Sequence, residues 1–288
     1  MTQDTTKNLL PKFVDNLKEK GRSPSTVLAY RSDLEQLVEF LTKNNKATPD
    51  QILSSDLDIF RDTLLAQKFT PKSVSRKLNA VKTFFRWLVE NNFLTEDLSK
   101  GVQHPKLETT LPKFLTPIEY RALRDVVKGD MRISAMIELI LQSGIRISEV
   151  ANMKMEDIKE NQIKIEGYAT QPERTVPINK PAKDALDRYL NERPKDVVSE
   201  YVFISKNGKP LAVRNIRASV DRFIQKAELP KYSVNDLRTT FIVENIKNGV
   251  DLILISQVSG HKRISTTERY LELAGVKESG KKQALIEL

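Results

Sequence analysis

The chain has 288 residues and carries 47 Lys and Arg against 38 Asp and Glu, a formal net charge of +9. It contains no cysteine, which excludes disulfides, thiolate nucleophiles and Cys-based metal sites, and its two histidines, His104 and His261, are too few for a His-rich metal centre. No apolar run approaches the roughly 18 residues that cross a bilayer. Met1-Thr2-Gln3-Asp4 does not open a signal peptide, so no membrane contact is expected and the expected location is the cytoplasm. The length suits two domains. An apolar content of 39% suffices for packed cores, and the basic balance favours an anionic partner, nucleic acid first.

The first hundred residues read as four or five short helices. Phe13, Val14 and Leu17 begin one apolar stripe. Ser23-Pro24-Ser25-Thr26 is a helix start, followed at helical spacing by Val27, Tyr30, Leu34, Leu37, Val38 and Leu41. Thr48-Pro49-Asp50 and Thr70-Pro71 open two more segments. The second has a dense apolar face of Leu78, Val81, Phe84, Phe85, Trp87 and Leu88, beside the basic residues Lys72, Arg76, Lys77, Lys82 and Arg86. A basic surface of this kind can hold phosphates without reading sequence, or simply keep a helix soluble.

A helical domain over 1–100 is therefore expected. A linker over 101–116 follows, punctuated by Pro105 and Pro112, either a basic strap or a plain tether. A second domain over 117–288 starts at Thr116-Pro117-Ile118-Glu119, a threonine cap with proline at the first helical position. Met136 to Leu141 predict a buried helix running to Gly144. Alternation in Gln162–Gly167 and Arg174–Ile178 predicts a β-hairpin, and Tyr201–Ile204 a third short strand. Helices resume near Arg214 and after Ser233. The fold class is mostly α with a small antiparallel β-sheet in the C-terminal domain.

Four residues of the second domain form a chemical set. Arg146 lies in Ser143-Gly144-Ile145-Arg146-Ile147-Ser148-Glu149, and Arg238 in Asn235-Asp236-Leu237-Arg238. His261 follows Ser259-Gly260, and Tyr270 stands nine residues later. Cleaving a phosphodiester without a metal requires neutralised non-bridging oxygens, an aligned nucleophile and a proton for the leaving 5′-oxygen. Arginine meets the first need with a planar fork that stays charged, and each arginine is expected at the start of a helix, where free N–H groups favour anions. Glu149, one turn after Arg146, can hold that fork in place. Tyr270 is a candidate nucleophile, a phenol that needs cationic neighbours. Lys262 and Arg263 are candidate contacts to backbone phosphate.

These stretches resemble the arginine boxes, the Leu-Gly-His box and the tyrosine segment of the tyrosine recombinase (phage integrase) family, more narrowly its Xer-like and integron-like members. Ser23–Tyr30 and Lys82–Leu88 look like parts of the family's core-binding domain. The resemblance implies a two-domain tyrosine recombinase architecture, with a SAM-like helical core-binding domain and an integrase catalytic domain clamping duplex DNA. It implies site-specific recombination through a 3′-phosphotyrosyl link on Tyr270, with Arg146, Arg238 and His261 on the phosphate and no cofactor. The alternative is a catalytically weakened DNA-binding regulator or assembly partner.

Two positions depart from the family pattern. Asn235 stands where a histidine is usual; it can hydrogen-bond a phosphate oxygen but cannot shuttle a proton. Tyr168 stands where the hairpin usually carries a proton-donating lysine. Either cleavage is slow, or Lys164, earlier on the proposed strand, takes that role through a different register or hairpin shape, while Arg174 remains available to bind phosphate. After Tyr270 come Leu271, Leu273, Ala274 and Val276, then Ala284, Leu285, Ile286 and Leu288 beyond Ser279-Gly280. Such a tail docks on its own domain or, as the resemblance implies, on a neighbouring protomer in a homo-tetramer on DNA.

Overall fold

The computed structural model describes residues 4–107, 111–168, 171–195, 197–205 and 207–275. The chain divides into two compact units, residues 1–109 and 110–288.

In the first unit four α-helices pack around one core among the described residues: α1 (Thr6–Glu19), α2 (Pro24–Lys43), α3 (Ser54–Ala66) and α4 (Pro71–Glu90). Their starts are written locally. Thr5, Ser23 and Thr70 accept a hydrogen bond from the third residue on, and proline occupies the first position of α2 and α4. Phe13, Phe84 and Trp87 join at the core, with ring centroids 5.2–6.0 Å apart.

One expectation for α4 fails. Lys77 does not belong to a basic surface: it is 4% exposed, donates to Asp33 at 2.9 Å and Gln36 at 2.8 Å, and lies over the Phe69 ring. Asp33 on α2 is itself buried and also takes both arms of Arg76, whose side chain remains half exposed. Position 77 falls one residue off the polar stripe of α4, so its ammonium can only be carried inward with a counter-ion. Lys72 and Arg86 lie on the open face and Lys82 at its edge, without acidic partners among the described residues.

The second unit is built on α6 (Met131–Ser143), which is buried nearly all round and packs against α8 and α10 above all. Before it comes α5 (Pro117–Val127), whose Thr116–Glu119 capping box follows from the sequence. After it come α7 (Ile147–Asn152), a hairpin of β1 (Gln162–Ile165) and β2 (Arg174–Pro177), α8 (Lys180–Glu192), α9 (Val213–Lys226), α10 (Val234–Lys247), α11 (Leu252–Ser259) and α12 (Ser265–Glu268). The strands are antiparallel, with Ile163 opposite Val176 and Ile165 opposite Arg174.

The third strand does not form. Tyr201 and Ile204 make only isolated bridges, to Lys154 and Pro210, while Val202 and Phe203 between them are both buried. Two adjacent buried side chains break the alternation a half-exposed strand requires. Helix α8 was not expected: its stripe is only Ala182, Ala185, Leu186 and Tyr189, and two alanines give little periodic signal. Among the described residues no helix is long and apolar enough to cross a membrane.

The buried ion pair yields a direct test. Trp87, the single tryptophan, reports on the helical unit. Lys77→Ala should leave the buried Asp33 carboxylate with Arg76 as its one remaining cation, and lower that unit's stability by about 1–3 kcal/mol in urea titrations followed by Trp87 fluorescence. Arg86→Ala should leave the midpoint unchanged.

Candidate active site

The second unit gathers residues distant in sequence around two helix ends. Helix α6 stops at Gly144 and α11 at Gly260, both in the left-handed conformation, with φ of 64° and 66°. A helix C-terminus leaves main-chain carbonyls unpaired and carries partial negative charge. Arginine side chains settle there. Arg238 donates to the carbonyls of Gly144 and of Ser259, the latter at 2.6 Å. Arg146 donates to Gly260 O at 2.6 Å, and Arg174 Nε to Val258 O at 2.8 Å.

Both glycines are required sterically. A Cβ at Gly144 would run into the Phe241 ring, and one at Gly260 would sit 2.9 Å from the Arg174 guanidinium and 3.0 Å from that of Arg146. Neither requirement was recognised from the sequence, although a glycine ending an apolar helix is a usable cap signal.

Glu149 ties two of the arginines together. Its carboxylate accepts from Arg146 N at 2.8 Å and Nη1 at 2.9 Å, and takes both Nη atoms of Arg174 at 2.8–2.9 Å. Burial pushes the Glu149 carboxyl up, but hydrogen bonds from Arg174 and Arg146 outweigh it, and the net shift is downward. Arg174 is therefore not a free phosphate-binding arm, as the sequence suggested. With 10% of its side chain exposed, it is the inner anchor of the cluster.

Burial, then the nearby charge of Arg146, lowers the Arg238 guanidinium to about 10, which still leaves it charged at neutral pH. Three guanidiniums against one carboxylate leave a local excess of two positive charges. Arg238 has no acidic partner among the described residues.

Arg146 and Arg238 face a cleft of about 310 Å³ lined also by Ile145, Ser148, Asn235, Thr239 and Tyr270. Asn235 and Arg238 lie one turn apart on α10 and reach the same cleft. Arg146 caps α7, as expected of a helix start, whereas Arg238 lies in the second turn of α10 and is held by carbonyls, not by the helix N-terminus. Tyr270 does not lie on a helix. It follows α12 in a chain of turns, its N–H bonded to Thr267 O at 3.0 Å, and its ring backs onto Ile242, Ile246 and Ile255.

The His261 ring lies parallel to that of Tyr270, at 4° and 6.2 Å between centroids. Burial first, then Arg238, Arg146 and Arg174, push its pKa down to about 4. The imidazole is neutral at physiological pH.

Lys164 lies outside this constellation. Arg174 and its cross-strand partner Ile165 share one face of the hairpin, so Lys164, the next residue along, projects from the other. There it pairs with Glu173 at 3.0 Å, which raises its pKa. It does not point toward the arginine cluster. Tyr168 is exposed at the hairpin end and exchanges two main-chain hydrogen bonds with Gln171, at 2.9 and 3.0 Å. Lys262 and Arg263 are exposed beside His261, without acidic partners among the described residues. Residues 276–288, which include most of the expected docking tail, lie outside the described residues. No group of three or more His, Asp or Glu able to hold a metal occurs among the described residues.

The geometry sets two expectations. Gly260→Ala should cost about 1–2 kcal/mol from left-handed backbone strain alone, and more because two guanidiniums must shift; urea unfolding of this unit measures it. On acidification, an unfolded His261 gains its proton near pH 6.5 but the folded one only near 4, so stability falls as pH drops through that window. Glu149, depressed in the folded state, adds a loss below its unfolded value of about 4.3. Melting temperature against pH should decline from about 6.5 downward, and His261→Gln should flatten the part above pH 4.

Family models match both units: one described as "Phage integrase family" over residues 113–275, the other as "Phage integrase, N-terminal SAM-like domain" over 10–92. A tyrosine recombinase XerC of Listeria monocytogenes serotype 4b is 32% identical over 273 residues, covering 90% of each chain. The XerC of Myxococcus xanthus is 33% identical over 283 residues, covering 92% of this chain and 93% of its own. Among solved structures, a lambda integrase tetramer bound to a Holliday junction superposes with a TM-score of 0.75 at 17% identity, over 91% of this chain and 79% of that one.

Proposed function

The chain belongs to the phage integrase family, and from that premise we propose that it is a site-specific DNA recombinase that cuts and rejoins duplex strands through Tyr270. The observation that carries this reading is the excess of two positive charges held beside a phenol at an open cleft. Such a site stabilises an anion whose charge grows as a bond is made.

Arg146 and Arg238 take the non-bridging oxygens of the scissile phosphate, with forks already immobilised by carbonyls. Glu149 and Arg174 hold Arg146 in place. His261 and Asn235 add neutral hydrogen bonds. The Tyr270 oxygen attacks phosphorus, the bond from phosphorus to the 5′-oxygen breaks, and a 3′-phosphotyrosyl link remains. The phenolic proton passes to solvent, and the 5′-oxygen takes up a proton. Attack by a 5′-hydroxyl on the link reverses the step and joins a new strand. Lys262 and Arg263, and in the helical unit Lys72, Lys82, Arg86 and the half-exposed Arg76, meet backbone phosphates at sequence-independent positions.

Four chains acting together on two duplexes fit this chemistry, since each strand exchange needs a partner. The structural neighbour is itself a tetramer on a Holliday junction. A second reading, a weakened relative that binds recombination sites as a regulator, draws on Tyr168 at the hairpin end where a lysine was expected.

Covalent trapping separates the two readings. Incubated with a pool of nicked duplexes and resolved under denaturing conditions, the wild type should form a protein–DNA adduct and Tyr270→Phe none. A substrate with sulfur in place of the bridging 5′-oxygen, whose thiolate leaves without a proton, should be cleaved about 10²–10⁴-fold faster than the oxygen substrate if a general acid is lacking. DNA binding without an adduct on either substrate supports the regulator.

A further inference from the structure

Thr267 is fully buried, six residues after His261. Its hydroxyl lies 2.8 Å from His261 Nδ1 and has no other hydrogen-bond partner among the described residues. Its main chain is bonded on both sides: its N–H donates to Ile264 O at 2.7 Å, and its carbonyl accepts from Tyr270 N at 3.0 Å. One residue thus touches the histidine through its side chain and the tyrosine through its backbone, and the two rings lie parallel beside it.

We propose that Thr267 is a positioning residue that fixes the His261 proton on Nε2, so that the ring meets the scissile phosphate as a neutral hydrogen-bond donor. The argument is one of hydrogen-bond satisfaction. If Nδ1 carried the proton, the Thr267 hydroxyl would have to accept, and its own buried proton would find no acceptor. If the hydroxyl donates, Nδ1 is the acceptor, and a neutral imidazole must then carry its proton on Nε2. The doubly protonated ring is opposed first by burial and then by the guanidiniums around it, which together push its pKa down to about 4. Nε2 makes no hydrogen bond among the described residues, so its proton is free for a phosphate oxygen.

The inference rests on the recombinase reading for its catalytic consequence but not for the tautomer, and the two can fail separately. With only two histidines in the chain, long-range ¹H–¹⁵N correlation spectra of the full-length protein resolve each ring, and His104→Gln assigns them. The wild type should show His261 protonated on Nε2 and bare on Nδ1 at neutral pH. Thr267→Val, which keeps the shape, should give mixed tautomers and slow single-turnover adduct formation by about tenfold or more. Thr267→Ser, which keeps the hydroxyl, should restore both. A wild-type ring protonated on Nδ1 overturns the proposal, as does a Thr267→Val protein whose tautomer is unchanged. If the tautomer shifts but no adduct forms with the wild type either, the positioning role stands and the recombinase reading falls.

Discussion

The site depends on arginine forks resting on main-chain carbonyls at the ends of two helices. A guanidinium held only by carboxylates is fixed but neutralised. One held by carbonyls is fixed while keeping its charge. Arg238 is held entirely in the second way, by Gly144 and Ser259, and Arg146 partly so, by Gly260. Glu149 is the single carboxylate in the cluster and orients two guanidiniums at once. The result is positive charge held in place before any ligand arrives, the arrangement that best stabilises developing negative charge.

That arrangement opposes folding. Three like charges come together in partly buried surroundings, and loss of water first, then repulsion from Arg146, lowers Arg238 to about 10. The surrounding structure holds them nonetheless. Helix α6 is buried almost throughout and places Gly144; α11 and its left-handed cap place Gly260; β2 threads Arg174 between them. His261 is kept neutral first by its own burial and then by the same guanidinium charges. Cations at the cleft and a neutral imidazole stacked on the cleft-lining Tyr270 therefore lie close together without competing for protons.

The helical unit solves a different problem with one helix. The inner face of α4 supplies Leu78, Phe84, Phe85 and Leu88 to the core, and its outer face presents Lys72 and Arg86. Lys77 lies between the faces and is turned inward by Asp33. A basic residue in such a sequence has its role decided by about 100° of helical rotation and by the presence of a carboxylate on the neighbouring helix.

The sequence by itself determined what local physics controls. Threonine and serine caps followed by proline set the starts of α2, α4 and α5; apolar periodicity set the burial of α6; alternation set the hairpin. The order of Arg146, Arg238, His261 and Tyr270 was legible because each stands in a short distinctive stretch. Tertiary structure alone decided which cations are free and which are spent. Arg174 and Lys77 looked available and are committed to Glu149 and Asp33, and Lys164 stands on the wrong face of its strand. Gly144, Gly260 and Thr267 acquire their roles only from Phe241, from two guanidiniums and from an imidazole. The physical reason is range: caps and periodicity act within one or two helical turns, whereas a hydrogen bond such as that from Arg146 to Gly260 closes across 114 residues and exists only once the core beneath it has packed.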